Sequence, residues 1–235
     1  MDGRFLWCGH EWITAKRYGL INQNKPYCWY DNSAVHFNLD KSIILKTHKN
    51  PRYFENLKIS SPVGVGLISC TTKFGHGRFS LEAKFPSGPN LWPAFWMWSW
   101  DSLPPEIDVF EGYTNSKGSY FKMRFPEILG FWNIQNNVHY KGEEDNKMSW
   151  PKNHWISAKS PDKEFIEYAV EWRPDRLDFF WNGRKVRTLK DKNILNQLNS
   201  TTMNVIINNS ITSEADLENP PYSEFVVRNF SYYKL

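Results

Sequence analysis

Cysteine is scarce in this chain: only Cys8, Cys28 and Cys70 occur in 235 residues. Their spacing matches no paired-cysteine metal motif, so no metal site is expected from them. Two readings of the thiols stay open, one disulfide with a free thiol or three buried thiols. No apolar run reaches membrane-spanning length, and no membrane association is expected. Dense Lys/Arg blocks are absent too. The 29 basic and 25 acidic residues leave a net charge of +4 dispersed along the chain. That argues against a nucleic-acid partner and leaves an anionic substrate open. The start, Met1-Asp2-Gly3-Arg4-Phe5, has no apolar h-region, so no signal peptide is expected within this chain. No internal repeat, low-complexity segment or linker interrupts it, and one domain over 1–235 is expected. That length suits a single β-sandwich or barrel and suffices for a sizeable core.

Aromatic residues are abundant, at 17 % of the chain with 12 Trp, 11 Tyr and 16 Phe. Aromatics fill β cores, but this total exceeds what a core usually uses. Their faces also stack on the C–H faces of sugars. Short runs of β-branched and aromatic residues alternate with Gly, Pro, Asn and Asp, the pattern of an all-β chain. Strands are predicted over 34–46 (around an Asn38–Asp40 turn), 67–72, 77–85, 90–100, 107–110, 120–125, 136–140, 165–172, 176–181, 185–189, 203–207 and 225–233. Trp181-Asn182-Gly183-Arg184 is a type I′ hairpin signal. One short helix is predicted near Asp191–Gln197. Regular short strands with turn signals indicate a sandwich or jelly roll.

The chemistry concentrates in Glu106-Ile107-Asp108-Val109-Phe110-Glu111. A solvated amphipathic strand would show the same alternation. Strand side chains alternate faces, so Glu106 and Asp108 share one face while Glu111 falls on the other. One extra residue in a β-bulge at Val109-Phe110 restores the parity and puts all three acids on one face, with Ile107 and one bulge residue toward the core. Two carboxyls flanking a glycosidic bond are what its hydrolysis needs, and a third acid between them can hold a proton and separate their pKa values. Four effective strand steps put the glutamates roughly 13 Å apart at Cα. Side chains leaning inward would bring the carboxyls toward the ~5–5.5 Å of a retaining pair.

This hexapeptide resembles the bulged signature of glycoside hydrolase family 16. The resemblance extends to Leu91-Trp92-Pro93-Ala94-Phe95-Trp96-Met97-Trp98 upstream and to Gly77-Arg78-Phe79 before it. Downstream it continues in Val138-His139-Tyr140 and in the run from Tyr168 to Phe180. It implies a β-jelly-roll of two curved antiparallel sheets with a concave substrate cleft. It also implies a retaining endo-β-glycanase, in which Glu106 matches the nucleophile, Asp108 the assisting acid and Glu111 the general acid/base. The bulged form is shared by β-1,3-glucanases, agarases and carrageenases, so β-1,3-glucan and marine-type galactans are both implied as substrates. A polysaccharide partner, a monomer and an extracellular or cell-surface location are expected on that basis, with no cofactor.

The chain also departs from the family. Ser80 and Glu82 stand where Glu and Arg are common, 112–137 is longer and more irregular, and the segment after Asn208 lacks a glycine pair and a tryptophan. These departures point to a cleft remodelled away from plain laminarin. Val227 stands where an acidic calcium ligand is often found in the family, so a structural calcium stays open but is not supported by the C-terminal strand. Trp92, Trp96, Trp98 and Trp100 alternate and should face one way. Trp92 and Trp96, matching family tryptophans, are the candidates for the cleft, with Trp98 and Trp100 at the strand end under a loop. His139 is a further substrate-binding candidate, and Trp132, Asn208 and Arg124 follow on the same logic. Two other readings compete: a lectin-like binding module, which would not need the acid trio, and a transglycosylase of the same fold.

Overall fold

A computed structural model describes residues 3–14, 20–22, 25–114, 132–143, 146–150, 153–157 and 161–235, with the backbone alone for Ser102, Trp132, Asn133 and 153–157. In chain order the elements are β1 (Arg4–Trp7), β2 (His10–Ile13), β3 (Cys28–Tyr30), β4 (Val35–Phe37), β5 (Ile43–Phe54) and β6 (Ile59–Val65). Next come β7 (Leu67–Cys70), β8 (Gly77–Lys84), β9 (Leu91–Ser99), β10 (Ser102–Glu111), β11 (Trp132–Lys141), β12 (Lys147–Ser149) and β13 (Asn153–Ser157). The chain ends with β14 (Ile166–Arg173), β15 (Arg176–Trp181), β16 (Arg184–Leu189), α1 (Lys192–Asn199), β17 (Asn204–Ile211) and β18 (Ser223–Tyr233).

Among the described residues the strands form two nine-stranded sheets, and the fold is the expected all-β jelly roll. One sheet runs β1-β2-β7-β17-β9-β10-β11-β12, with β13 also on β11; the other runs β16-β15-β14-β8-β18-β5-β6-β3, with β4 also on β5. Pairing is antiparallel except between β3 and β6, which run parallel. The first sheet places β9 between β10 and β17, and β17 lies about a hundred residues later in the chain.

Alternation builds the core. On β9, Phe95 and Met97 point inward, while Trp92, Trp96 and Trp98 are only half-buried. Phe79, Leu81, Tyr168, Val170, Phe179 and Phe225 meet them from the other sheet in one contiguous cluster. Burying each such side chain contributes about 1.5–3 kcal/mol. Asn209 ties the layers together: its fully buried Nδ2 donates to Leu45 O at 2.9 Å and to Ser223 Oγ at 3.0 Å.

The punctuation of the sequence is found where expected. Asn182 (φ 44°) and Gly183 (φ 73°) both adopt the left-handed conformation a type I′ turn requires. Asp191 caps α1, accepting from Asn193 N and Ile194 N. Strands β1, β2, β3, β6, β12 and β13 were not anticipated. Ser60, Ser61 and Pro62 mask β6, since proline inside a run argues against a strand, and β12 is exposed throughout. The cysteines fit neither expectation: all three are free, with Cys8 exposed and Cys28 and Cys70 buried. Val227 is fully buried in the core. The strand predicted over 120–125 lies outside the described residues.

Candidate active site

The bulge is present on β10. Against β9, Asp108 pairs with Trp96 and Phe110 with Phe95; against β11, Asp108 pairs with Asn137 and Glu111 with Gln135. One extra residue on β10 therefore separates Asp108 from Glu111. Both Val109 and Phe110 enter the core, rather than one of them. Phe110 anchors the irregularity against Tyr168 (4.7 Å between centroids) and Phe85 (4.8 Å). The buried Asn136 Nδ2 donates to Val109 O at 2.7 Å, supplying a partner to a bulge carbonyl. The core thus fixes the kink that puts Glu106, Asp108 and Glu111 on one face.

That face is the floor of a cleft of about 540 Å³, within the usual range for ligand sites. The three acids line it together with Trp92, Trp96, Trp98 and Asn208. Asp108 is only 2 % exposed. Burial, then the charges of Glu111 and Glu106, raise its carboxyl well above the ordinary range. Burial also raises Glu106, but Lys147 opposes the rise, with Nζ 3.4 Å from Glu106 Oε2. Tyr113 OH donates to Glu111 Oε1 at 2.6 Å. The other oxygen, Glu111 Oε2, is buried with no hydrogen-bond partner among the described residues. A buried carboxylate oxygen in that state is costly unless a proton or a ligand hydroxyl completes it.

His139 stands directly across the ladder from Glu106. Its Nε2 lies 3.5 Å from Asp108 Oδ2 and 3.8 Å from Glu106 Oε1, and its Nδ1 lies 2.7 Å from Ser149 Oγ. Atoms of Glu106, Asp108 and His139 fall within 4.8 Å of one another, the spacing of a metal set. The Lys147 ammonium stands beside the same cluster, its Nζ 3.4 Å from Glu106 Oε2.

Trp96 Nε1 donates to Asn208 Oδ1 at 2.8 Å, and Asn208 Nδ2 to Trp92 O at 3.4 Å, so these three sequence candidates form one connected wall. Trp98 also lines the cleft, 5.6 Å from Trp96, instead of lying under a loop; Trp100 falls past the end of β9. Trp132 opens β11, opposite Ser157 on β13, and nothing is described of its side chain; Arg124 lies outside the described residues. Ser80 and Glu82 belong to the other sheet, where Ser80 Oγ meets Ser231 Oγ and Glu82 pairs with Arg228. Those two departures therefore do not reshape the cleft.

Sequence reasoning missed Lys25, Tyr113 and Lys147. Lys25 Nζ lies 3.8 Å over the Trp92 ring, and burial lowers its pKa. The Tyr113 ring is 4.9 Å from the Trp92 ring. Only the position of Tyr113, two residues after Glu111, offered a sequence signal. Lys25 and Lys147 reach the site from segments distant in the chain.

Comparison with known proteins agrees with this geometry. The family model for glycosyl hydrolases family 16 matches residues 22–221. A glucan endo-1,3-beta-glucosidase from Cryptopygus antarcticus is 27 % identical over 171 residues, covering 70 % of this chain and 58 % of that relative. Glucan endo-1,3-beta-glucosidase A1 from Niallia circulans is 25 % identical over 192 residues, covering 74 % of this chain and 26 % of that relative. The chain thus spans less than two thirds of the length of either. Among solved structures, LamAcat from Zobellia galactanivorans superposes with a TM-score of 0.72 at 16 % identity, covering 92 % of this chain and 89 % of that one. At that identity the likeness shows a shared fold.

Proposed function

The chain belongs to family 16 of the glycosyl hydrolases and is a glycoside hydrolase, and from that premise we propose that it is a retaining endo-β-glycanase acting on β-1,3-glucan. The observation that carries this reading is the bulge, which brings three carboxyls onto the floor of one aromatic-walled cleft. The curated relatives named above favour a β-1,3-glucan over a galactan. Ser80 and Glu82, engaged on the opposite sheet, give no reason for a cleft remodelled away from that glucan.

In double displacement one carboxylate attacks the anomeric carbon, and the other first gives and then takes a proton. Glu106 suits the nucleophile. Its Lys147 partner favours the charged form, and the neighbouring Asp108, whose carboxyl burial shifts toward the neutral form, can donate a hydrogen bond to it. Glu111 suits the acid/base. Tyr113 occupies one of its oxygens and leaves Oε2 to protonate the leaving oxygen and later to activate water. Asp108 is the assisting acid that keeps two charges from becoming three. Trp96, with its indole N–H on Asn208, offers a wall for a sugar face.

The test is hydrolysis of laminarin followed by proton NMR before mutarotation, alongside agarose and carrageenan. Oligosaccharides released from laminarin with retained β configuration are expected. With an activated aryl glycoside and azide, Glu106→Ala should give an inverted glycosyl azide and Glu111→Ala a retained one. An inverted first product from the wild type would overturn the retaining mechanism, and swapped azide stereochemistry would exchange the two roles.

A further inference from the structure

The short edge strand β12 has no apolar pattern and no sequence signature, yet both its outer residues reach the acid cluster. Lys147 Nζ lies 3.4 Å from Glu106 Oε2, and Ser149 Oγ lies 2.7 Å from His139 Nδ1. The register explains the convergence. Glu106 faces His139 across β10 and β11, and His139 faces Ser149 across β11 and β12, so a single row crosses three strands. Lys147, two positions from Ser149, shares its face. We propose that Lys147 is a positioning residue whose ammonium holds the Glu106 carboxylate charged and aimed into the cleft. This rests on the reading of Glu106 as the nucleophile.

The surroundings of Glu106 make the cation consequential. On its own strand it faces Asp108 and Glu111, from β11 His139, from β12 Lys147, and from the segment before β3 the more distant Lys25. Burial and the Glu111 charge favour a neutral Glu106; Lys147 and a hydrogen bond from Asp108 oppose them, with Lys147 Nζ 3.4 Å away. An exposed ion pair would be worth little. Here the glutamate side chain is only 12 % exposed, while the lysine is 44 % exposed. The cation therefore keeps much of its own hydration and still acts on a carboxylate that has lost most of its own. The same exposure lets Lys147 be replaced without threatening the fold.

The experiment is a titration of the Glu106 side-chain carboxyl by 13C NMR in wild type, Lys147→Met and Lys147→Arg, with the signal assigned by its loss in Glu106→Gln. The kcat/KM–pH profile on laminarin is recorded for the same proteins. The Glu106 midpoint is expected to rise by about one pH unit in Lys147→Met, the low end for a lost neighbouring charge. The acid limb of kcat/KM should move up with it, so that activity below the limb falls about tenfold and recovers at higher pH. Lys147→Arg should restore both. An unchanged midpoint in Lys147→Met overturns the inference. A midpoint that moves while the acid limb stays fixed upholds the role of Lys147 and instead refutes Glu106 as the nucleophile.

Discussion

Replacing Asp108 by Asn should make the protein more stable as the pH rises and nearly inactive throughout. The carboxyl is 2 % exposed, and burial with the charges of Glu111 and Glu106 raises its folded pKa well above the ordinary value. The folded state therefore holds this proton more tightly than the unfolded chain, whose aspartates titrate near ~3.9. Unfolding free energy then falls as pH rises through the window between the two pKa values, because the folded state binds more protons there. Below the unfolded value the group contributes nothing to the pH dependence. Above the folded value the full cost of a buried charge applies. Asparagine has the same shape and no charge, so it removes this cost. Each unit separating the folded from the unfolded pKa is about 1.36 kcal/mol. At about 2–4 °C per kcal/mol for a chain of this size, the variant gains about 3–5 °C in Tm per unit. The assay is thermal unfolding of both proteins from pH 3 to 9, read as the difference in Tm. Any hydrogen bond the amide gains or loses adds a constant offset, so the slope isolates the charge. Activity should fall by about 10²-fold or more, since the variant cannot share a proton with Glu106. A difference in Tm that stays flat with pH, or shrinks as pH rises, would refute a protonated Asp108 at the centre of the site.

Trp96→Phe keeps an aromatic face but loses the indole N–H that Asn208 accepts. It should fold normally, whereas Trp96→Ala should lose about 2- to 12-fold in kcat/KM on long glucans, the worth of about 0.5–1.5 kcal/mol of stacking; equal losses on a short aryl glycoside would place the residue outside the sugar-binding wall. The thiols should react with a disulfide reagent in order of exposure: Cys8 in the native protein, and fully buried Cys70 only once the chain unfolds. Three thiols reacting together in the native state would contradict the burial of Cys28 and Cys70.

Much of this protein is local and was readable as such. Strand alternation put the tryptophans of β9 on one face, and Trp92, Trp96 and Trp98 line the cleft together. Parity called for a bulge if Glu106 and Glu111 were to share a face, because side chains five residues apart on a regular strand point to opposite faces. The I′ turn at Asn182-Gly183 and the cap at Asp191 follow from the backbone preferences of those residues. Other features rest on pairings between distant segments, and no short window of sequence carries them. Asn208 joins Trp92 and Trp96 only because β17 lies beside β9. Lys147 reaches Glu106 only because β12 adds to the edge of β11, and exposed polar strands leave no periodic mark. The reverse error has the same origin: Ser80 and Glu82 looked like cleft residues until the sheet order put β8 in the other layer. Which acids gather on one face was thus a property of one strand. Which cation, hydroxyl and amide surround them was decided by sheet order, because hydrogen bonds and ion pairs act over a few ångströms of space, however far apart their residues lie along the chain.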